Sequence, residues 1–354
     1  MGILANLTSA TAQEWTGIDL RRQADFMRQQ HAPFSARVMD AAAIHLPQAP
    51  FCLSMFEGWS GDRRSAALPL RLLAGLHNLA RRGVVPELSA AFATLDPDCE
   101  QAVALALATG DAMIAPWLMR PTQTNEVARS AATMAALRVV AGRFRLPIHL
   151  HEMGASAGLN LLLDGYAFDL GGVRAGDPAS PLVIRPRWSG QAPRGAQPTI
   201  VQACGVDRTP LDFRDPGDCE RLFSYVWPDR AERLRRLRLA IQLARHRTVD
   251  LQAGSAVEWL RDKLAAPRTG GVVQCIVHTM FHQYLGDEDK ADVEAIFAEA
   301  GAAATEAAPL ARISLEWTPS RSVVELVLTT WPTGTREVLA HAHPYGAWIR
   351  WLGD

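Results

Sequence analysis

His149-Leu150-His151-Glu152-Met153-Gly154-Ala155-Ser156-Ala157-Gly158-Leu159-Asn160 decides the fold of this chain. The apolar run at 147–152 has strand character, and small residues then alternate into a second apolar stretch that reads as a helix. A strand closed by an acidic residue, then a Gly-rich turn, then a helix is the arrangement that brings backbone N–H groups close to a nucleotide-like ligand. Gly154 permits the tight turn and Gly158 close packing of the helix. The middle glycine of the usual pattern is Ser156 here. A turn that only packs a helix on a strand would use the same small residues.

Downstream, short apolar runs at 199–204, 249–252, 272–279 and 311–317 alternate with helical stretches at 221–245, 257–264 and 289–300, which specifies a parallel sheet covered on both faces. The runs at 323–331 and 336–342 flank a Pro332-Thr333-Gly334 turn and are expected to close the sheet as an antiparallel meander. Residues 165–198, rich in Gly, Pro and Arg, read as an insertion over one edge of the sheet. Upstream, from about 14 to 144, the pattern is helical, with Leu68, Leu72, Leu76 and Leu79 on one face and breaks at Pro86, Pro97, Pro116 and Pro121. A helix at 125–142 is expected, capped by Thr122 or Thr124. The fold class is thus α/β, a doubly wound, mostly parallel Rossmann-like sheet in 145–354, preceded by a helical domain in 1–144 that would act as a lid or select the substrate.

Chemistry enters at the expected carboxyl edge of the sheet. Glu152 would repel a phosphate and accept from an ammonium or hydroxyl, which favours S-adenosylmethionine over a dinucleotide. The cofactor-binding residues expected are Glu152, Gly154, Ala155, Ser156, Gly158 and Asn160 from the turn, Asp207 for ribose hydroxyls, Ser255 and Ala256 at a helix start, and His278 closing a strand. Gln123, Asn125, Glu126 and Arg129 concentrate polar groups before the first strand and are expected to bind substrate.

Two rival chemistries share these residues. Gly154-Ala155-Ser156-Ala157-Gly158 also spells the G-x-S-x-G elbow, so a serine hydrolase with Ser156, an acid such as Asp207 or Glu316, and His341 or His343 is an alternative. The pairs His149/His151, His278/His282 and His341/His343 suggest a metal hydrolase, although no single motif has ligand spacing and no metal is expected. A non-catalytic ligand-binding protein is a further alternative.

Composition narrows the partners. The 354 residues carry 36 basic and 37 acidic side chains, net −1, which makes nucleic acid and anionic membrane poor partners and leaves a small-molecule or protein acceptor. Lys263 and Lys290 are the only lysines, so Schiff-base or phosphate-loop lysine chemistry has almost no place to sit. Five dispersed cysteines fit a reducing cytoplasm, and the start has no basic segment leading an apolar run.

Gln123-Thr124-Asn125-Glu126, the run Glu152 to Asn160, Gly205-Val206-Asp207 with Pro210-Leu211-Asp212, Val226-Trp227-Pro228 and His343-Pro344-Tyr345-Gly346 together resemble bacterial domain-of-unknown-function family 2332 over nearly the whole chain. The resemblance implies a fold related to Rossmann-like S-adenosylmethionine-dependent methyltransferases, with the ligand between the helical and α/β domains. No reaction comes with the family. Against the methyltransferase pattern, Ser156 replaces a glycine, Ser255 stands where an acidic residue often meets adenine, and 317–323 is too short for the helix that usually precedes the final hairpin.

Overall fold

A computed structural model of the protein describes residues 12–61, 63, 66–266 and 270–353. The chain is mixed α/β and divides into two compact units, one formed by residues up to Thr124 with Pro216–Leu234, the other by Asn125–Asp215 with Arg235–Asp354.

The helical unit opens with α1 (Ala12–Gln29), α2 (Pro33–His45), α3 (Pro50–Glu57), α4 (Leu68–Arg81), α5 (Pro86–Thr94) and α6 (Glu100–Met119). Prolines start α2 to α5 in the first turn, where a missing N–H costs nothing. Pro116, expected to break the chain, lies inside α6 near its end. Leu68, Leu72, Leu76 and Leu79 are buried as their spacing predicts. Helices α4 and α6 approach through glycines: a Cβ on Gly110 would stand 2.5 Å from Leu79 Cδ1, and one on Gly75 2.9 Å from Ile114 Cγ2. By length and composition α6 could cross a bilayer. It is instead a packed helix whose buried Asp111 accepts from the N–H groups of Phe51 (2.7 Å) and Cys52 (2.9 Å), at the start of α3.

The next helix, α7 (Ser130–Phe144), belongs to the other unit because it packs against the sheet. The division therefore falls before Asn125, not at 144. A second departure is that Pro216–Leu234 is helical-unit chain, comprising α8 (Pro216–Ser224) and the first turn of α9 (Ala231–Ala244). The continuous helix expected at 221–245 is interrupted at Trp227-Pro228. Within this unit Asp229 accepts from the N–H groups of Phe34 and Ser35, both 2.9 Å, capping α2. Arg81 makes a two-pronged ion pair with Glu220, His77 Nδ1–H donates to the Ser224 carbonyl (3.2 Å), and Trp227 joins the core.

In the α/β unit, the strands in chain order are β1 (Ile148–Met153), β2 (Ala167–Leu170), β3 (Val173–Gly176), β4 (Val183–Ile184), β5 (Arg187–Ser189), β6 (Ile200–Asp207), β7 (Asp250–Ala253), β8 (Val273–Thr279), β9 (Leu310–Trp317), β10 (Val324–Trp331), β11 (Thr335–Ala342) and β12 (Trp348–Trp351). A large, mostly parallel sheet runs β5-β12-β11-β10-β9-β8-β1-β6-β7. Strands β7, β6, β1, β8 and β9 are parallel, and β9 to β12 form an antiparallel meander. The insertion makes its own sheet, β3-β2-β4, and supplies edge strand β5 beside β12. Helices α10 (Ala256–Ala265) and α11 (Asp287–Ala302) cover one face of the large sheet, where Trp259, Leu260, Val293 and Phe297 meet Met153, Val206 and Ile276.

Candidate functional site

Strand β1 pairs with β6 on one side and β8 on the other, so the chain crosses in opposite directions from it, and open α/β sheets take their ligands beyond the carboxyl end of such a strand. Glu152 stands at that end, paired in register with Gly205 and Val277. Its neighbour Met153 is in register with His278. Successive strand residues point to opposite faces, so Glu152 and His278 face opposite sides of the sheet.

The turn after β1 spends its donors internally. Gly154 and Ala155 both donate to the Val206 carbonyl (2.9 and 3.0 Å), Ser156 to Asp207 Oδ2 (2.9 Å), Ala157 and Leu159 to Asn125 Oδ1 (3.2 and 3.0 Å), and Gly158 to the Ala155 carbonyl (2.7 Å). An anion-cradling loop needs these groups pointing at the ligand. The expected helix is also absent: Leu159–Gly165 is 3-10 helix with a kink at Leu162. Gly154 has φ +72, and a Cβ there would lie 2.5 Å from the Phe281 ring. Its smallness accommodates an aromatic side chain of the protein itself, and a phosphate-bearing ligand has no cradle.

What the turn leaves open are side-chain acceptors. Glu152 Oε2, Asn160 Oδ1 and the Ser156 hydroxyl are buried without a hydrogen-bond partner. Unmet buried polar atoms are few in native proteins and each demands a reason. Glu152 is 4% exposed. Burial pushes its carboxyl up to about 8; Arg129 pulls it down, Asp207 pushes it further up, and a hydrogen bond from the Asn160 amide lowers it. Glu152 is thus the hub of a group formed with Arg129, Asn160 and Asp207, with Ser156 joined to it through Asp207.

The other expected residues have structural work. Asp207 accepts from Ser156 and, through Oδ1, from Thr209 N–H (3.0 Å). Asn125 pins the turn. Glu126, not Thr122 or Thr124, caps the helical segment, accepting from Ala128 N–H (3.2 Å) and lying 3.9 Å from Arg236. Arg129 Nε donates to the Pro344 carbonyl (2.8 Å), which ties the quoted His343-Pro344-Tyr345-Gly346 segment to the site. Gln123 belongs to the helical unit and is buried. Ser255 caps α10, accepting from Glu258 N–H (3.4 Å), with Ala256 opening the helix.

His278 is committed as well. Arginine can only donate, so Arg312 Nε–H donates to His278 Nε2 (3.1 Å) and the ring gives its Nδ1–H to Glu316 (2.8 Å). Arg312 continues to both oxygens of Glu294. Burial holds His278 neutral. Neither Arg312 nor Phe281 carried a signal in the sequence, since their partners lie on strands and turns far along the chain.

The rival chemistries are not assembled. The Ser156 hydroxyl meets no histidine, His341 lies 3.8 Å from Glu325, and His343 accepts from Tyr345 N–H (3.1 Å). His151 contacts Cys204 Sγ at 3.0 Å inside the sheet. Among the described residues no group of three or more His, Cys, Asp or Glu is arranged to hold a metal ion.

The Glu152 turn, the Gly205-Val206-Asp207 strand end and the closing His343-to-Gly346 segment all lie within residues 18–351, the stretch that one family model matches. The chain belongs to DUF2332. This domain-of-unknown-function family 2332 is described as "uncharacterized protein conserved in bacteria". No curated protein and no solved structure matches the chain. For this family member, then, the buried group around Glu152 is the feature from which function has to be argued.

Proposed function

We propose that the protein is a methyltransferase-like enzyme that binds S-adenosylmethionine at the carboxyl end of β1. The observation carrying this reading is the set of unmet buried polar atoms, Glu152 Oε2, Asn160 Oδ1 and the Ser156 hydroxyl, on the segment that follows the carboxyl end of β1, the end at which open α/β sheets take their ligands. The parallel order β7-β6-β1-β8-β9 runs like the first five positions of the Rossmann order 3-2-1-4-5-6, which supports this reading. The donor set fits this ligand and not a dinucleotide: the turn offers acceptors to an ammonium and hydroxyls, and no free N–H row to a pyrophosphate.

Glu152 and Asn160 take the ligand's ammonium. Arg129, whose charge acts on Glu152, meets the ligand's carboxylate, and Asp207, which holds the turn, faces the ribose hydroxyls. When bound, the sulfonium supplies an electrophilic methyl group. Direct displacement needs positioning above all, so the residues' task is to orient the ligand and exclude water. The acceptor is a small molecule or a protein, in keeping with the near-neutral charge. Cysteines that are all free and buried suit a cytoplasmic place of work.

Calorimetric titration with S-adenosylmethionine and S-adenosylhomocysteine tests the reading. Saturable heat from both, with thermal stabilisation that Glu152→Ala abolishes, supports it; no heat at millimolar ligand overturns it. Binding without methyl release to any acceptor would assign the protein to non-catalytic ligand binding.

A further inference from the structure

Glu152 has no cation in direct contact to justify a charge in the interior. Its neighbours are Arg129 from the turn before α7, Asp207 from β6, Asn160 from the 3-10 segment, the Tyr166 hydroxyl ahead of β2, and the apolar Val277 of β8. Tyr166 gives its proton to the Leu159 carbonyl (2.6 Å), and the Arg129 Nε–H goes to Pro344. One Glu152 oxygen meets no protein donor, and the oxygen of the Asn160 amide that bonds to Glu152 meets none either. Once Glu152 has lost its proton, two unmet oxygens of one buried group suit a ligand with several N–H donors and a positive charge.

We infer that Glu152 is a proton-exchanging cation receptor: the ligand's ammonium enters as the carboxyl proton leaves to solvent, so that ligand uptake is controlled by pH. This rests on the ligand site proposed above. The balance is simple. The O–H bond of Glu152 breaks, its proton goes to buffer, and the carboxylate pairs with the ammonium, so the net charge of the buried site is unchanged. Burial that holds the carboxyl up to about 8 keeps it protonated in the empty site at neutral pH. A neutral hydroxyl ligand would instead leave the proton in place.

Titration of S-adenosylhomocysteine into the full chain in phosphate and in HEPES near pH 7 reads the exchange directly from the difference in heat. The expected result is release of about one proton per ligand and an affinity that tightens up to about tenfold per pH unit from about pH 6 to about pH 8. Glu152→Gln keeps the shape, so it should release no proton and lose the pH dependence. The wild-type buffer comparison needs no variant and stands if the variant does not fold. Binding with no proton release, or with release unchanged in Glu152→Gln, overturns the inference and leaves the proposed ligand intact. Methylammonium chloride against equal sodium chloride, read by melting temperature at about pH 6.5 and about pH 8, separates the other case. Stabilisation greater at the higher pH and lost in Glu152→Gln, with no binding of the nucleoside ligand, upholds the receptor and overturns the ligand. No response to either probe overturns both.

Discussion

Four polar groups of the helical unit, Asp111, Asp229, His77 and Asn78, and the buried ones around Glu152 are built from similar residue types to opposite ends. Asp111 and Asp229 each take two backbone N–H groups at a helix start, and His77 and Asn78 are both spent on Ser224. Around Glu152 the backbone is equally well served, yet Glu152, Asn160 and Ser156 keep polar atoms unmet. Satisfied groups of the first kind fix helix ends and cost nothing further. Unmet ones reduce stability, since desolvation is not repaid. The contrast teaches that a buried polar residue spent on a helix end marks structure, whereas several unmet polar atoms gathered on one turn at a strand's carboxyl end mark a candidate ligand site.

The largest effect that would sharpen this contrast lies in the helical unit. Trp227→Ala should cost about 3–5 kcal/mol in urea unfolding, because its indole is part of the core. A loss below about 1 kcal/mol would mean that Pro216–Leu234 is not integral to that unit. Next is Glu152. Its carboxyl is raised in the folded state, so stability is fully present below the ordinary carboxylate range and is lost as pH rises toward about 8. Glu152→Gln should remove that slope and be more stable than wild type at about pH 9 by a few kcal/mol. An unchanged profile would break the comparison.

Histidines give a smaller effect in both regions. Burial brings His77 and His151 down to about 4. Their stabilising contribution is present above the ordinary histidine value and is lost as pH falls from about 6.5 toward 4, on the order of 2 kcal/mol for each. Imidazole nitrogen shifts should show both rings neutral at about pH 5.5; protonation there would contradict their burial. Smallest is Ser156→Ala, expected within about 0.5 kcal/mol of wild type because its hydroxyl has no partner to lose. Labelling of Ser156 by a fluorophosphonate would reopen the hydrolase alternative.

Strands were legible in the sequence almost to the residue. The runs read at 147–152, 272–279 and 311–317 became Ile148–Met153, Val273–Thr279 and Leu310–Trp317, because buried parallel strands are continuous apolar runs. Strands β2 to β4 of the insertion, the edge strand β5 and its neighbour β12 were missed; all are short, and β5 and β12 are held by Trp188 stacked on Trp351, a contact between distant segments. The helix expected after β1 is instead the 3-10 segment Leu159–Gly165, kinked at Leu162, with Asn125 accepting from Ala157 and Leu159 N–H at its start. At the site, Glu152, Ser156 and Asn160 could be named from their pattern, but which of their atoms stay unmet depends on Asp207, Asn125 and Val206, and no spacing records that. The break at Trp227-Pro228 was visible as a motif, yet its reason, docking against α2 and α4, is a tertiary fact.

The interleaving of the two units sets a timetable for synthesis. Six helices leave the ribosome long before Asp229 and Trp227, and until those arrive α2 has no cap and its core no indole. Strands β1 and β6 can pair in that interval, but β8 and β9 are still untranslated. Neither unit can be finished before the other is well advanced, so apolar surface should stay open through much of elongation, the condition under which nascent chains are prone to aggregate. A fragment ending at Thr124 should accumulate only as aggregate, and splitting this protein at the middle of its sequence will not yield two working halves.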